Sequence, residues 1–208
     1  MMNRGLILGV VAMATIVVAS NILVQFLLGD WLTWGAFTYP FAFLVTDVMN
    51  RAYGARQARK VVLAGFVVGV ICSLIGTQIM LEFGPAVTLR IALGSGFAFL
   101  AAQLTDVLVF DKLRKGNWWK APLVSSFIGS SLDTLLFFGV AFAGAFVFLD
   151  PSQPHSWARE VIPMFGFGPE APLWVSLAVA DFAVKMSLAL VALGPYRQLT
   201  RGRQPLAE

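Results

Sequence analysis

Residues 121–149 read APLVSSFIGSSLDTLLFFGVAFAGAFVFL, an apolar run long enough to cross a bilayer, with one carboxylate, Asp133, near its middle. An ionised side chain costs about 3 kcal/mol or more at a bilayer centre, so such a group faces a protein interior or a water-filled cavity rather than lipid. Asp47, Asp106, Asp181 and Lys185 are likewise set in runs of Leu, Val, Phe and Ala. Four acids and one base kept at membrane depth point to a polar solute handled inside the bundle, not to a simple anchor.

Working outward, comparable runs lie at 6–28, 35–53, 61–81, 91–110 and 172–193. A span needs roughly 20 mainly apolar residues, so these and 121–149 predict six transmembrane helices. They use nearly the whole chain and leave short loops. Residues 1–208 therefore read as one all-α polytopic bundle, a single integral membrane domain. Composition agrees: 58% hydrophobic residues, 12% charged ones and a mean hydropathy of +0.79 are too apolar for an ordinary soluble domain.

The net charge of +4 is distributed as topology. Arg4 precedes the first span; Arg51, Arg56, Arg59 and Lys60 follow the second. Lys112, Arg114, Lys115 and Lys120 follow the fourth, and Arg197, Arg201 and Arg203 the sixth. The opposite loops hold only Arg90 and Arg159 as bases, beside Asp30, Glu82, Asp150, Glu160 and Glu170. This positive-inside pattern places both termini in the cytoplasm. Trp31, Trp34, Trp157 and Trp174 then fall near the outer interface, Trp118 and Trp119 near the inner one. The basicity is no nucleic-acid footprint. The first run is longer than the usual ~7–15-residue core of a signal peptide, so it is expected to be a retained helix. A single Cys72 and a single His155 leave no disulfide framework, no Cys/His metal cluster and no His-based triad.

Two similar stretches recur: Phe41-Ala42-Phe43-Leu44 before Thr46-Asp47-Val48, and Phe97-Ala98-Phe99-Leu100 before Thr105-Asp106-Val107. Their gaps differ by three residues. A worn hairpin duplication and chance likeness in apolar sequence both account for this. Gly65, Gly69, Ser73 and Thr77 form a small-residue stripe of the kind that lets helix backbones approach. The stripe Ser125, Gly129 and Asp133 ends in a carboxylate, with Ser126, Ser130 and Thr134 on an adjacent face, and suits a solute cavity better than a packing seam.

Helical spacing groups the remaining polar residues. Asn21 and Gln25 are four apart and expected on one face; Gln103 and Asp106 are three apart. Asp181 and Lys185, again four apart, can pair within one helix, as can Asp47 and Arg51 near the cytoplasmic edge, where Arg51 can snorkel. For both couples a neutralised structural pair and a ligand role stay open. Asp133 lies about 18 Å along its run at ~1.5 Å per residue, close to the midplane. It has no basic neighbour on its own helix, so it requires an interhelical or substrate partner.

Several stretches resemble the queuosine precursor transporters, formerly grouped as vitamin uptake transporters. They are Ser20-Asn21, Thr33-Trp34-Gly35-Ala36-Phe37 with Pro40, Phe43-Leu44 with Thr46-Asp47, and Arg51-Ala52-Tyr53-Gly54. Arg90-Ile91, Gln103 with Asp106-Val107 and Phe110, and Leu113-Arg114 continue the likeness. Trp118-Trp119-Lys120-Ala121-Pro122, Ser131-Leu132-Asp133-Thr134, and Asp181 with Lys185 complete it. It covers about residues 20–195 and omits the loop from Asp150 to Ala171 and the basic tail.

The resemblance implies import, across the inner membrane, of cyano-deazaguanine, aminomethyl-deazaguanine or both, precursors of a modified tRNA nucleoside. The chemistry is compatible. A guanine-like edge offers adjacent N–H donors that a carboxylate accepts in bidentate fashion, and its ring carbonyl wants a donor. Asp133 or Asp181 can read the first, and Asn21, Gln25 or Lys185 the second. Tyr39, Phe137 and Phe138 are available to stack, or are ordinary packing. Excess buried acid also suits the positively charged aminomethyl form.

The expected central site comprises Asn21, Gln25, Asp47, Gln103, Asp106, Asp133, Thr134, Asp181 and Lys185, worked by alternating access. Arg90 and Arg51 gate or orient, with interfacial anchoring as the plainer role for Arg90. The partners are the small deazaguanine and the lipid bilayer, with a homodimer as the assembly admitted; nucleic acid, metal and cofactors are not expected. No Walker-type glycine loop exists, so proton coupling through a carboxylate and facilitated diffusion both remain open. A substrate-binding subunit of an energy-coupling-factor importer, or a different small-solute transporter, is the alternative, although Ala12, Ala14 and Ala19 form no docking stripe. An intramembrane enzyme is disfavoured because no two acids share a helix at ligand spacing. A structural subunit would tolerate loss of Asp133 and Gln103.

Overall fold

The small-residue stripe after the second span makes the first helix contact. Helix α1 (Arg4–Leu23) lies along α4 (Ala55–Gly76), so that a methyl group at Gly65 would sit 2.5 Å from Met13 Cγ and 3.1 Å from Phe99 Cζ. At Gly69 it would meet Val17 at 3.4 Å. The stripe is a packing seam, closed by Met13 and Val17, both buried. In this computed structural model residues 4–82, 84–153 and 155–202 are described, and Arg203 lies outside them.

The chain continues through α2 (Gly35–Thr38), α3 (Phe41–Tyr53), α5 (Leu89–Leu113), α6 (Lys120–Phe142) and α7 (Leu173–Thr200). Short hairpins occupy three loops: β1 (Leu27–Leu28) with β2 (Leu32–Thr33), β3 (Met80–Leu81) with β4 (Gly84–Pro85), and β5 (Val161–Pro163) with β6 (Glu170–Pro172). Each is an antiparallel pair of two or three residues. The framework is all-α.

Among the described residues five helices, α1, α4, α5, α6 and α7, are long and apolar enough to cross a bilayer. The expected span 35–53 is different. It breaks between Thr38 and Phe41, where Pro40 has no backbone N–H to continue a helical ladder. The remaining α3 has 13 residues, about 20 Å at ~1.5 Å per residue, against a hydrocarbon core of about 30 Å. Other ends also move. α1 stops at Leu23, five residues before the hydropathy window does, because the chain turns into β1. α6 stops at Phe142, and Gly144–Leu149 is a 3-10 turn. α4 begins six residues early with the polar segment Ala55–Lys60, which hydropathy excludes from a span.

Gly54 makes the tight α3–α4 junction at φ 83°, a left-handed conformation that a Cβ would strain. Its N–H still reaches Asn50 O. α5 starts at Thr88, whose hydroxyl accepts the Ile91 N–H at 3.3 Å. α5 and α6 share the most extensive helix contact, with Gly129 permitting the approach: a methyl group there would lie 2.7 Å from Phe43 and 3.3 Å from Asp106 Cβ.

The two ends of the bundle differ as the charge pattern predicts. At one end Arg51 Nη1 donates to the Arg114 carbonyl, Arg197 stacks 4.9 Å from the Trp118 ring, Phe110 meets Tyr196, and Gly5 abuts Tyr53. At the other, Trp31 packs edge-on against Phe165 and Thr88 pairs with His155 at 3.0 Å. Basic residues cluster at the first end, and the hairpins with Asp30, Glu82, Asp150, Glu160 and Glu170 at the second.

Candidate functional site

Interruption of the second span places Tyr39 against the middle of α6. Its hydroxyl donates to Asp133 Oδ1 at 3.1 Å. From α7, Lys185 Nζ reaches Asp133 Oδ2 at 2.6 Å, Asp181 Oδ2 at 2.5 Å and Thr134 Oγ1 at 3.2 Å. Thr134 in turn donates to Asp181 Oδ2 at 3.0 Å, and the Lys185 ammonium sits 5.5 Å from the Tyr39 ring centre. Asp133 and Lys185 are buried, whereas Asp181 keeps 16% of its side-chain surface. Asp133 has therefore found the interhelical partner that its own helix lacks. The Asp181–Lys185 pair is not closed on itself, because one ammonium answers two carboxylates. With all three ionised the cluster carries one net negative charge.

Asp133 lies about 20 Å from the start of α6 and Lys185 about 18 Å from the start of α7, at ~1.5 Å per residue. Both are near mid-depth. Two narrow crevices approach this layer from opposite ends. One, toward the basic end, is lined by Pro40, Asp47, Ser126, Ser130, Lys185 and Tyr196, the other, toward the hairpin end, by Asn21, Tyr39, Ser73, Ser95 and Phe99. Each has room for about one water molecule. Tyr39, Asp133 and Lys185 form the partition between them.

A second polar group lies in the basic half, between α3, α5 and α6. Ser125 donates to Asp47 Oδ1 at 3.3 Å, Thr46 to Gln103 Oε1 at 2.7 Å, and Asn50 Nδ2 to Val107 O at 3.0 Å. Asp47 and Asp106 feel one another's charge, with Ser125 beside both. Both oxygens of Asp106, Asn50 Oδ1 and Gln103 Nε2 are buried without a hydrogen-bond partner among the described residues.

Of the expected site residues, Asp133, Thr134, Asp181 and Lys185 meet in the central cluster. Asp47, Gln103 and Asp106 form the second group. Asn21 lines the crevice at the hairpin end, its amide donating to Val17 O at 2.9 Å. Gln25 is exposed in the turn beyond α1, so the helical spacing that would align it with Asn21 does not operate. Arg51 turns to the Arg114 carbonyl, and no ion pair joins it to Asp47 among the described residues. Arg90 is fully buried and donates through Nε to Val140 O at 2.7 Å and through Nη2 to Ala143 O. It binds the carbonyl end of α6, where a cation is favoured. These bonds hold it at the end of α6, away from the central cluster.

Tyr39 is the site residue that spacing does not place: the sequence offers its ring for stacking, whereas the structure uses its hydroxyl on Asp133. The available signal was a tyrosine directly before a proline in an apolar run. Among the described residues no group of three or more His, Cys, Asp and Glu could hold a metal ion.

A family profile described as "Putative vitamin uptake transporter" matches residues 33–198. The "Queuosine precursor transporter" of Escherichia coli strain K12 is 32% identical over 195 residues, 86% of this chain and 79% of that one. A "Probable queuosine precursor transporter" of Haemophilus influenzae is 36% identical over 138 residues, 61% and 57% of the two chains. One of Bacillus subtilis strain 168 is 26% identical over 189 residues, 82% and 72%. No solved structure matches.

Proposed function

Because this chain belongs to the vitamin uptake transporter family and is a multi-pass membrane transporter, we propose that it imports queuosine precursors across the inner membrane. The cargo is a deazaguanine, in its cyano form, its aminomethyl form or both, on the way to tRNA modification. The names of the relatives support the cargo class. The observation that carries the mechanism is the Tyr39–Asp133–Lys185–Asp181 layer at mid-depth between two oppositely facing crevices.

Neither crevice admits a guanine-sized ring, so transport requires each to widen in turn while the partition holds. In this reading the broken second span completes a sixth crossing, and both termini are cytoplasmic. Substrate enters by displacing partners already present. The guanine-like edge takes over a carboxylate of Asp133 or Asp181, and Lys185, released from one of its two acids, donates to the ring carbonyl. The net negative charge favours the protonated aminomethyl group. Preformed donors and acceptors limit the reorganisation that binding costs.

The test is thermal stabilisation of the purified protein by cyano-deazaguanine, aminomethyl-deazaguanine and guanine. We expect a deazaguanine-selective rise in Tm that disappears in Asp133→Asn. A folded, monodisperse sample that responds to none of the three compounds contradicts the cargo assignment. A rise that survives in both Asp133→Asn and Asp181→Asn contradicts the site.

A further inference from the structure

The second polar group is short of positive charge. Asp106 is fully buried on α5 next to Ser125 and Asp47, and among the described residues no donor meets either of its oxygens in good hydrogen-bond geometry. Asp47, buried on α3, receives one neutral hydroxyl, from Ser125. Asn50, one turn beyond Asp47, spends its amide on Val107 O and leaves Oδ1 unpartnered. These buried oxygens are all acceptors. An unpaired ionised carboxylate away from water costs several kcal/mol, and two interacting ones cost more.

Among the described residues no cation forms an ion pair with Asp47 or Asp106. Arg51 is turned to the Arg114 carbonyl, Arg114 pairs with Asp111 at 3.1 Å, and Lys185 is held by Asp133 and Asp181. Tyr196, from α7, is buried and lines the same crevice as Asp47, and its hydroxyl meets no hydrogen-bond partner in good geometry among the described residues. We propose that Asp47 and Asp106, assisted by Asn50 Oδ1 and Ser125, form a buried site for one small monovalent cation, a proton or Na+.

A proton bound by either carboxyl would turn that group into a donor for its neighbour. Na+ would collect the unpartnered oxygens as ligands, which hard oxygen donors suit. Either ion reduces the local charge from two negatives to one. Gly129 brings α6 against Asp106 and Phe43, so loading this site alters the packing of the helices that also carry Asp133. The site is thereby positioned to couple an ion gradient to solute movement. That coupling role rests on the transport reading; ion binding does not.

The experiment therefore uses no solute. Full-length protein in lipid nanodiscs is titrated with Na+ against choline at constant ionic strength, following Tm. Infrared spectra in H2O and D2O follow the carboxylic-acid C=O band across pH. A Na+-dependent rise in Tm identifies sodium; a D2O-sensitive protonated-carboxyl band at neutral pH identifies the proton. Either signal should be lost in Asp106→Asn, with Asp47→Asn as the second variant in case the first does not fold. Absence of both signals from the wild-type protein, or persistence of the signal in both variants, overturns the proposal. Loss of deazaguanine binding with the ion signal intact would sink the cargo assignment and leave this site standing.

Discussion

Two buried acidic groups lie in one bundle and are treated differently. Around Asp133 and Asp181 each carboxylate has an ammonium within 2.6 Å, and Asp133 gains a phenolic donor as well. Around Asp47 and Asp106, among the described residues, one Ser125 hydroxyl is the donor that meets a carboxylate in good hydrogen-bond geometry. The first group is close to internally satisfied, so removing a member exposes what it balanced. The second is incomplete within the protein, so removing a member relieves repulsion as well as losing contacts. The first group meets its charge demand within the chain; on the cation proposal above, the second waits for an ion from outside.

The largest expected effect breaks the satisfied group. In Lys185→Met both Asp133 and Asp181 lose their counter-ion, and breaking a buried pair costs about 3–5 kcal/mol. Denaturant titration in detergent should show that loss together with abolished uptake. A small change in stability would mean that water already compensates the two acids. Next, Tyr39→Phe removes a charge-assisted hydrogen bond to Asp133 while keeping the ring, a loss of about 1.5–3 kcal/mol. We expect lower stability with enhanced leak of deazaguanine through proteoliposomes. Leak unchanged from wild type would remove Tyr39 from the partition.

The comparison is sharpest at Asp106→Asn. Among the described residues Asp106 has no well-formed hydrogen bond to lose, so at neutral pH the variant's stability should lie within about 1 kcal/mol of wild type or above it. A loss as large as that of Lys185→Met would show that Asp106 has a partner and that the two groups are alike. The smallest effect lies in the loop far from both. Burial pushes His155 below the usual histidine range, Arg90 and Arg159 act in the same direction, and Asp150 opposes them. The folded state therefore binds its proton less readily than the unfolded chain. Stability is unaffected well above about pH 6.5 and declines as pH falls through that value towards the lower folded one. His155→Gln should flatten that acid slope; an unchanged slope would place the responsible group elsewhere.

Much of this was legible in the sequence. Runs of apolar residues broken by basic clusters determine a polytopic α-helical membrane protein, because lipid demands that backbone polar groups be satisfied within each crossing segment. Single acids inside those runs determine that its interior handles charge. Spacing of four on α7 foretells that Asp181 and Lys185 meet, since such neighbours share a helix face. The stripe at Gly65 and Gly69 foretells a close contact. Spacing does not say which helix fills it, and Met13 and Val17 of α1 do so only in the folded bundle.

What only the tertiary structure decided is which charges find one another. Lys185 bridges to Asp133 on α6, 52 positions earlier, whereas Arg51, four residues from Asp47, leaves that acid for a carbonyl 63 positions away. The break at Pro40 turns one expected span into two pieces and sets Tyr39 on the partition. Periodicity describes neighbours along one helix. The pairing of buried charges is settled by the packing of helices against one another, where distance and desolvation, not sequence separation, set the energy.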